Sequence, residues 1–224
     1  MFSSLPNEII IHEIFPHLDE SAKIVLNNVL WNTPIPNNIK QSIQYEICQY
    51  SVEYLNFFQS RLSVEDIYPN LSLQGNFDGM KWAREIGCKL GRQIFANVAG
   101  RGNLEILKWL HENNCPWNIV TTISAARNGH LEVLKWLREN ECPWAEQTCS
   151  SAAENGHLAV LKWAHENGCP WDNYTCASAA EGGQLEVLKW LRENGCPWDK
   201  FTTYYAAKNR HLDVLKWAKE NGCH

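Results

Sequence analysis

A 27-residue period runs through the C-terminal part of this chain, and no other feature limits its fold as strongly. Tryptophan and cysteine recur on one register, at Trp82, Trp109, Trp136, Trp163, Trp190 and Trp217, and at Cys88, Cys115, Cys142, Cys169, Cys196 and Cys223. Cys-Pro-Trp triplets begin at four of these cysteines, from Cys115 to Cys196. Repetition of this kind is typical of a solenoid, in which each unit packs against its two neighbours.

Each unit contains the pattern of two short helices. The first helix begins after a polar capping residue such as Asn118, Asp172 or Asp199. It ends before a glycine suited to a left-handed turn, at Gly102, Gly129, Gly156 and Gly183. In the second helix apolar and charged residues alternate at helical spacing, as in residues 131–138. No stretch alternates with the period of a strand, so we predict an all-α solenoid with essentially no β-sheet.

Residues 125–137, A-A-R-N-G-H-L-E-V-L-K-W-L, resemble the ankyrin repeat, and the A-A-x-x-G element recurs at Ala152, at Ala179 and, with Arg210 in place of glycine, at Ala206. Ankyrin units have about 33 residues and begin with a T-P-L-H β-turn. The present units lack that turn, so the resemblance implies helix-turn-helix repeats with reduced or absent β-hairpin fingers. Short, Trp-rich units of this kind are similar to those of ankyrin-type proteins from giant DNA viruses and some protists.

The period also predicts the domain organisation. Residues 64–224 form six ankyrin-like units, of which the first is degenerate because Pro69 falls inside its first helix. Residues 46–63 form a degenerate capping helix, since residues 52–58 repeat the pattern of a second helix. Residues 1–45 remain as a separate helical segment. The last unit keeps the interior pattern to Cys223, so its end face is either exposed or covered.

The N-terminal segment begins L-P-N-E-I-I at Leu5 and continues to I-F-P-H-L-D, which resembles the first half of an F-box. This resemblance implies contact with a Skp-type linker of cullin ubiquitin ligases through Leu5, Pro6, Ile9, Ile14, Phe15 and Leu18. The same apolar residues at helical spacing would also suit a helix that only caps the solenoid. Both interpretations remain open at the level of sequence.

Composition and motifs exclude several classes of function. The formal net charge of -5 gives no general attraction to nucleic acid or to an anionic membrane. No apolar run has the length of a membrane span, and no secretory signal is present. His130, His157 and His211 occupy turns where a backbone hydrogen bond is the usual role, and the cysteines stand where ankyrin repeats have small core residues. We therefore expect reduced, buried thiols and no metal site, cofactor or enzymatic activity, in the cytoplasm (that of the host if the source is viral).

The slots that vary between units are the candidate binding residues. They fall in the first helices, whose equivalents in ankyrin proteins face a concave groove, and comprise Arg127, Gln147, Glu154, Tyr174, Glu181, Phe201, Tyr204, Tyr205 and Lys208. Clustered aromatic residues are typical of interface anchors. The leading hypothesis is therefore a substrate-recruiting subunit of a cullin-type ubiquitin ligase, with an unidentified target protein on the groove. The alternative is a free-standing binding scaffold. We expect a monomer, with end-to-end association through the last repeat left open.

Overall fold

The computed structural model of this protein describes residues 69, 71–85 and 87–223. Contacts divide the chain into two units, residues 1–90 and 91–224. In the first unit helix α1, Phe77–Glu85, buries Met80, Trp82 and Ala83. The predicted F-box-like segment, the predicted capping helix and the start of the degenerate repeat lie outside the described residues.

The second unit consists of five helix pairs, and the described residues contain no β-strand. The helices that open the pairs, here called the first helices, are α2, Arg92–Arg101; α4, Ile119–Arg127; α6, Glu146–Glu154; α8, Asn173–Glu181; and α10, Lys200–Lys208. The second helices are α3, Leu104–Glu112; α5, Leu131–Glu139; α7, Leu158–Glu166; α9, Leu185–Glu193; and α11, Leu212–Glu220. The predicted all-α solenoid is confirmed.

The helix boundaries follow from the capping residues that the sequence indicates. The Asn118 side chain accepts a hydrogen bond from the amide of Val120 at 3.0 Å, and that of Asp199 accepts one from Phe201 at 2.9 Å. These bonds satisfy N–H groups that the first turn of a helix leaves without a partner. At the other end of the first helices the turn glycines adopt φ between 71° and 76°, the left-handed region that glycine occupies without strain. Arg210 takes the same conformation at φ 63°.

The first helices pack closely on one another because their buried residues are small. In α6 the buried positions are Thr148, Cys149, Ser151, Ala152 and Ala153, and the other first helices repeat this pattern. Second helices touch their neighbours at only a few points. Spacing is therefore shorter along the row of first helices than along the row of second helices. An array built in this way curves, with the first helices on its concave side.

The periodic cysteines are buried, as predicted, and the thiols of those after Cys88 also join the two helices of a pair. The thiol of each one after Cys88 lies close to the backbone oxygen of the residue that precedes its own first helix. The sulfur-oxygen distances run from 3.7 Å for Cys142 and Asn118 to 3.1 Å for Cys223 and Asp199. Burial raises the pKa of Cys142 to about 12, since the thiolate is poorly solvated there. This cysteine is therefore a packing residue.

The tryptophans differ in part from the prediction. The resemblance to ankyrin helices, which have a core leucine at the position of the Lys-Trp tryptophan, predicts a buried ring there, but only Trp82 is buried, and its equivalents in the second unit are half-buried. The four from Trp136 to Trp217 each contact a Cys-Pro-Trp ring of the preceding unit instead, with centroids 6.0 Å apart for Trp117 and Trp136 and 5.8 Å apart for Trp171 and Trp190. Aliphatic residues such as Leu134 and Leu137 fill the core. From Trp117 to Trp217 the array therefore has a ladder of tryptophan pairs along one edge.

The histidine turns link successive units, and their predicted role in backbone hydrogen bonding is confirmed. Nε2 of His130 lies 3.0 Å from the carbonyl oxygen of Gly100, and Nε2 of His157 lies at the same distance from that of Arg127. Because the carbonyl can only accept, Nε2 carries the proton in each bond. The imidazole also covers the turn glycine of the preceding unit, where a Cβ at Gly102 would lie 2.5 Å from Nδ1 of His130. Side-chain size and backbone conformation thus both require glycine at this position.

Candidate protein-binding surface

The first helices expose one row of side chains on the concave side, opposite the second helices. We define the concave face by the slots in which this row varies from unit to unit. The outermost slot carries Val120, Gln147, Tyr174 and Phe201, all of which are exposed. The slot after each Ala-Ala pair carries Arg127, Glu154, Glu181 and Lys208. Neighbouring units thus present different chemistry on a common backbone.

The structure places all nine predicted binding residues on first helices with at least part of each side chain accessible. Arg127, Gln147 and Lys208 are exposed, and Glu154, Glu181 and Tyr205 are half-buried. Tyr174, Phe201 and Tyr204 have exposed fractions of 53%, 37% and 55%. Large aromatic side chains are thus accessible although the core is well formed around them.

Four of these residues form a continuous aromatic strip across α8 and α10. The rings of Tyr174 and Phe201 stack with centroids 6.3 Å apart, and Phe201 lies 6.4 Å from Tyr205. Tyr204 meets Tyr205 edge to face at 5.2 Å. Contacts of this kind stabilise ring orientation. The strip therefore offers aromatic surface whose conformation is largely fixed before any partner arrives.

A pocket of about 280 Å³ opens beside the strip, between α6 and α8. Its lining residues are Glu146, Gln147, Ser150, Asp172, Tyr174 and Ser178. Of these, only Gln147 and Tyr174 were among the predicted binding residues. Asp172 was recognised from the sequence only as a helix cap, because nothing local indicates that α6 lies beside it. The repeat length could have indicated the pocket. Residues one period apart, such as Gln147 and Tyr174, lie side by side on adjacent first helices.

Charge is distributed unevenly between the two sides of the array. The ion pairs among the described repeats each lie within one second helix, as in Lys135 with Glu132 and Lys189 with Glu186, both at 2.7 Å. On the concave face the slot after Ala-Ala reads positive, negative, negative, positive from Arg127 to Lys208. In the described structure neither Glu154 nor Glu181 is ion-paired to a lysine or arginine. The middle of the concave face is therefore acidic and the units beside it are basic.

Other kinds of site have little support in the described residues. Within residues 69, 71–85 and 87–223 no three histidine, cysteine, aspartate or glutamate side chains converge so that they could hold a metal ion. Among the helices that the structure describes, none combines the length and apolar character needed to cross a bilayer.

Comparison with known proteins identifies the repeats. A family model described as "Ankyrin repeats (many copies)" matches residues 94–138 and 176–219. A search of curated proteins finds no match to the chain. The matched segments contain helix pairs of the second unit, so residues 94–138 and 176–219 are similar to ankyrin repeats. Such repeats indicate a protein–protein interaction module.

Proposed function

We propose that the concave face binds a target protein, with the aromatic strip of Tyr174, Phe201, Tyr204 and Tyr205 as its anchor. The exposure of the strip carries this proposal. Half-exposed tyrosines and phenylalanine gain free energy when a partner removes their apolar surface from water. Because their rings already contact one another, little side-chain entropy is lost on binding. Tyrosine is also enriched among the residues that dominate binding energy at interfaces.

The test is a peptide selection followed by a paired variant. Random linear peptides are selected on the immobilised full chain, and their affinities are measured by fluorescence anisotropy. The double variant Tyr174→Ser with Tyr204→Ser should weaken binding by about tenfold or more, because aromatic anchors commonly contribute over 1 kcal/mol each. The control is Leu212→Ser on α11, a residue with 70% exposure that lies outside the concave face. Peptides that bind the double variant as well as the wild type would disprove this use of the strip.

We further propose that the chain recruits this target to a cullin-type ubiquitin ligase in the cytoplasm. Support comes from the L-P-x-E pattern and the apolar residues at Leu5, Pro6, Ile9, Ile14, Phe15 and Leu18. In this role these residues hold a Skp-type linker while the repeats hold the target. A free-standing scaffold, in which the same residues only cap the array, is the alternative.

One variant separates the two roles. In the linker-binding role, Leu5→Ala with Pro6→Ala abolishes pull-down of a Skp-type linker, while the free energy of unfolding changes by about 1 kcal/mol or less. In the capping role the same change lowers that free energy by about 2 kcal/mol or more, since buried apolar surface is lost. A folded wild-type chain that binds no Skp-type linker refutes the ligase proposal and leaves the scaffold.

A further inference from the structure

We infer that the target segment carries a lysine or arginine whose cationic group enters the pocket between α6 and α8, against the ring of Tyr174. This inference rests on the proposed function and specifies the chemistry of the partner. It follows from the charge of the pocket, from the absence of an ion pair to its carboxylates within the described residues, and from the accessible aromatic ring at its edge.

The groove between α6 and α8 collects four carboxylates. Glu146 and Asp172 line the pocket at the N-terminal ends of the two helices, and Glu154 and Glu181 are the last residues of the same helices. The partial positive charge at the helix N-termini offsets part of the first pair. The partial negative charge at the C-termini adds to the second pair. The groove as a whole therefore attracts cations.

No basic side chain of the described repeats forms an ion pair with these carboxylates. The lysines that do form ion pairs there are on second helices, at Lys135, Lys189 and Lys216. The basic residues of the slot after Ala-Ala, Arg127 and Lys208, lie in the units on either side, and the Nζ of Lys208 is 5.6 Å from the centroid of the Tyr205 ring. The Asp172 carboxylate accepts a hydrogen bond from the backbone N–H of Thr175 in the capping box of α8, whereas its buried Oδ1 has no hydrogen-bond partner within the described residues. The negative charge is thus left for a partner to compensate.

Tyr174 adds a second element that favours a cation over other ligands. Its ring is 53% exposed and lines the same pocket as Glu146 and Asp172. An ammonium or guanidinium group is attracted to the face of an aromatic ring, more strongly where water is partly excluded. The chain already uses this contact elsewhere, with the guanidinium of Arg192 4.2 Å from the centroid of Trp198 and that of Arg138 4.7 Å from that of Trp144. A basic side chain from the partner completes the same arrangement on the concave face.

The aromatic strip indicates which kind of partner side chain lies next to the basic residue. Phe201 and Tyr204 continue from Tyr174 along the next unit, so an apolar side chain of the partner next to the basic residue packs on them. An acidic partner or a nucleic acid meets like charge at the groove and is disfavoured. The expected ligand is therefore a segment in which a lysine or arginine lies beside an apolar residue.

The experiment uses charge reversal at matched helix positions of the full chain. Peptides selected from the random library on the wild type are sequenced and resynthesised, and each is also made with glutamine in place of lysine or arginine. The test variant is Glu146→Lys, which reverses the charge of a carboxylate that lines the pocket. The control is Glu105→Lys, which changes the net charge equally, again in the first turn of a helix, but on the second helix α3. Circular dichroism and thermal unfolding establish that both variants are folded.

We expect the selected peptides to be enriched in lysine and arginine. They should lose about tenfold or more in affinity for the test variant and retain their affinity for the control. The glutamine-substituted peptides should bind weakly, and salt should weaken the unmodified ones, because the groove carboxylates are partly exposed.

The outcomes distinguish this inference from the proposed function. Peptides that are not basic, or whose binding is the same on the test variant and the control, overturn the inference. If such peptides still lose affinity on Tyr174→Ser with Tyr204→Ser, the concave face remains the binding surface with a different partner chemistry. If the tyrosine variant has no effect either, or no peptide is selected, both the inference and the proposed function fail.

Discussion

Two neighbouring threonines of α4 differ in the hydrogen bonding of their buried hydroxyl groups. Thr121 and Thr122 are both fully buried. The Thr122 hydroxyl lies 2.9 Å from the carbonyl oxygen of Ile119 and 3.0 Å from that of Pro143, and its distance of 3.4 Å to the hydroxyl of Thr148 on α6 joins two units. The Thr121 hydroxyl has no hydrogen-bond partner in the described structure. A buried hydroxyl without a partner costs free energy that an apolar group of the same shape does not.

Substitution by valine should therefore have opposite effects at these two positions. Thr121→Val should raise the free energy of unfolding by about 1 kcal/mol, because it removes an unsatisfied hydroxyl and keeps the shape of the side chain. Thr122→Val should lower that free energy by about 1 kcal/mol, since the hydrogen bond between units is lost. Urea unfolding monitored by circular dichroism measures both. Destabilisation of the same size at both positions would show that the Thr121 hydroxyl is satisfied.

At the residue scale the sequence predicts the roles that residues have within one repeat unit better than the contacts that they make between units. The caps at Asn118 and Asp199, the turn histidines and the buried cysteines follow from patterns within one unit, and the structure confirms them. The pocket was missed because Glu146 and Asp172 gain their common location only when α6 and α8 pack side by side. Half-burial of the tryptophans has the same origin. The 27-residue period shows which tryptophans occupy equivalent positions. How far each ring is buried depends on contacts with the neighbouring unit, which the period does not show.

At the scale of the element, the turn between the two helices of a pair also connects neighbouring units. Where a histidine occupies it, the distance from Nε2 to the carbonyl oxygen of the preceding unit is 3.0 or 3.1 Å. The pair α8–α9 has Gln184 instead, whose Nε2 is 3.4 Å from the oxygen of Glu154 and 3.0 Å from that of Gly182. The glutamine bond between units is therefore the weakest of the four.

Gln184→His should strengthen this junction. The imidazole should bond the Glu154 carbonyl as its equivalents bond theirs and, having fewer rotatable bonds than glutamine, should lose less entropy. We expect the free energy of unfolding to rise by about 0.5–1 kcal/mol, the net contribution of one hydrogen bond. The reciprocal change His157→Gln should lower it by a similar amount. Thermal and urea unfolding of both variants give the comparison, and a Gln184→His protein no more stable than wild type would contradict this account of the turn.

At the scale of the whole repeat array, curvature and binding surface have one cause. Small residues let the first helices approach each other, whereas Leu, Val and Trp hold the second helices further apart. The period and the Ala-Ala pairs predict this solenoid. They do not predict which carboxylates share a pocket, because this depends on the lateral spacing of first helices that are far apart in sequence.

A matched pair of alanines tests the link between close packing and curvature. Ala153 on α6 is fully buried, whereas Ala159 on α7 is exposed. Ala153→Leu should lower the free energy of unfolding by about 2 kcal/mol, because a larger side chain in a close-packed core forces its neighbours apart. Ala159→Leu adds the same atoms on the second-helix side and should change it by about 0.5 kcal/mol or less. Urea unfolding measures both.

The same pair of variants should differ in peptide binding. Since wider spacing of α6 and α8 also alters the pocket between them, Ala153→Leu should weaken binding of the selected peptides and Ala159→Leu should not. Equal tolerance of leucine at both positions would show that close packing of the first helices does not depend on small residues.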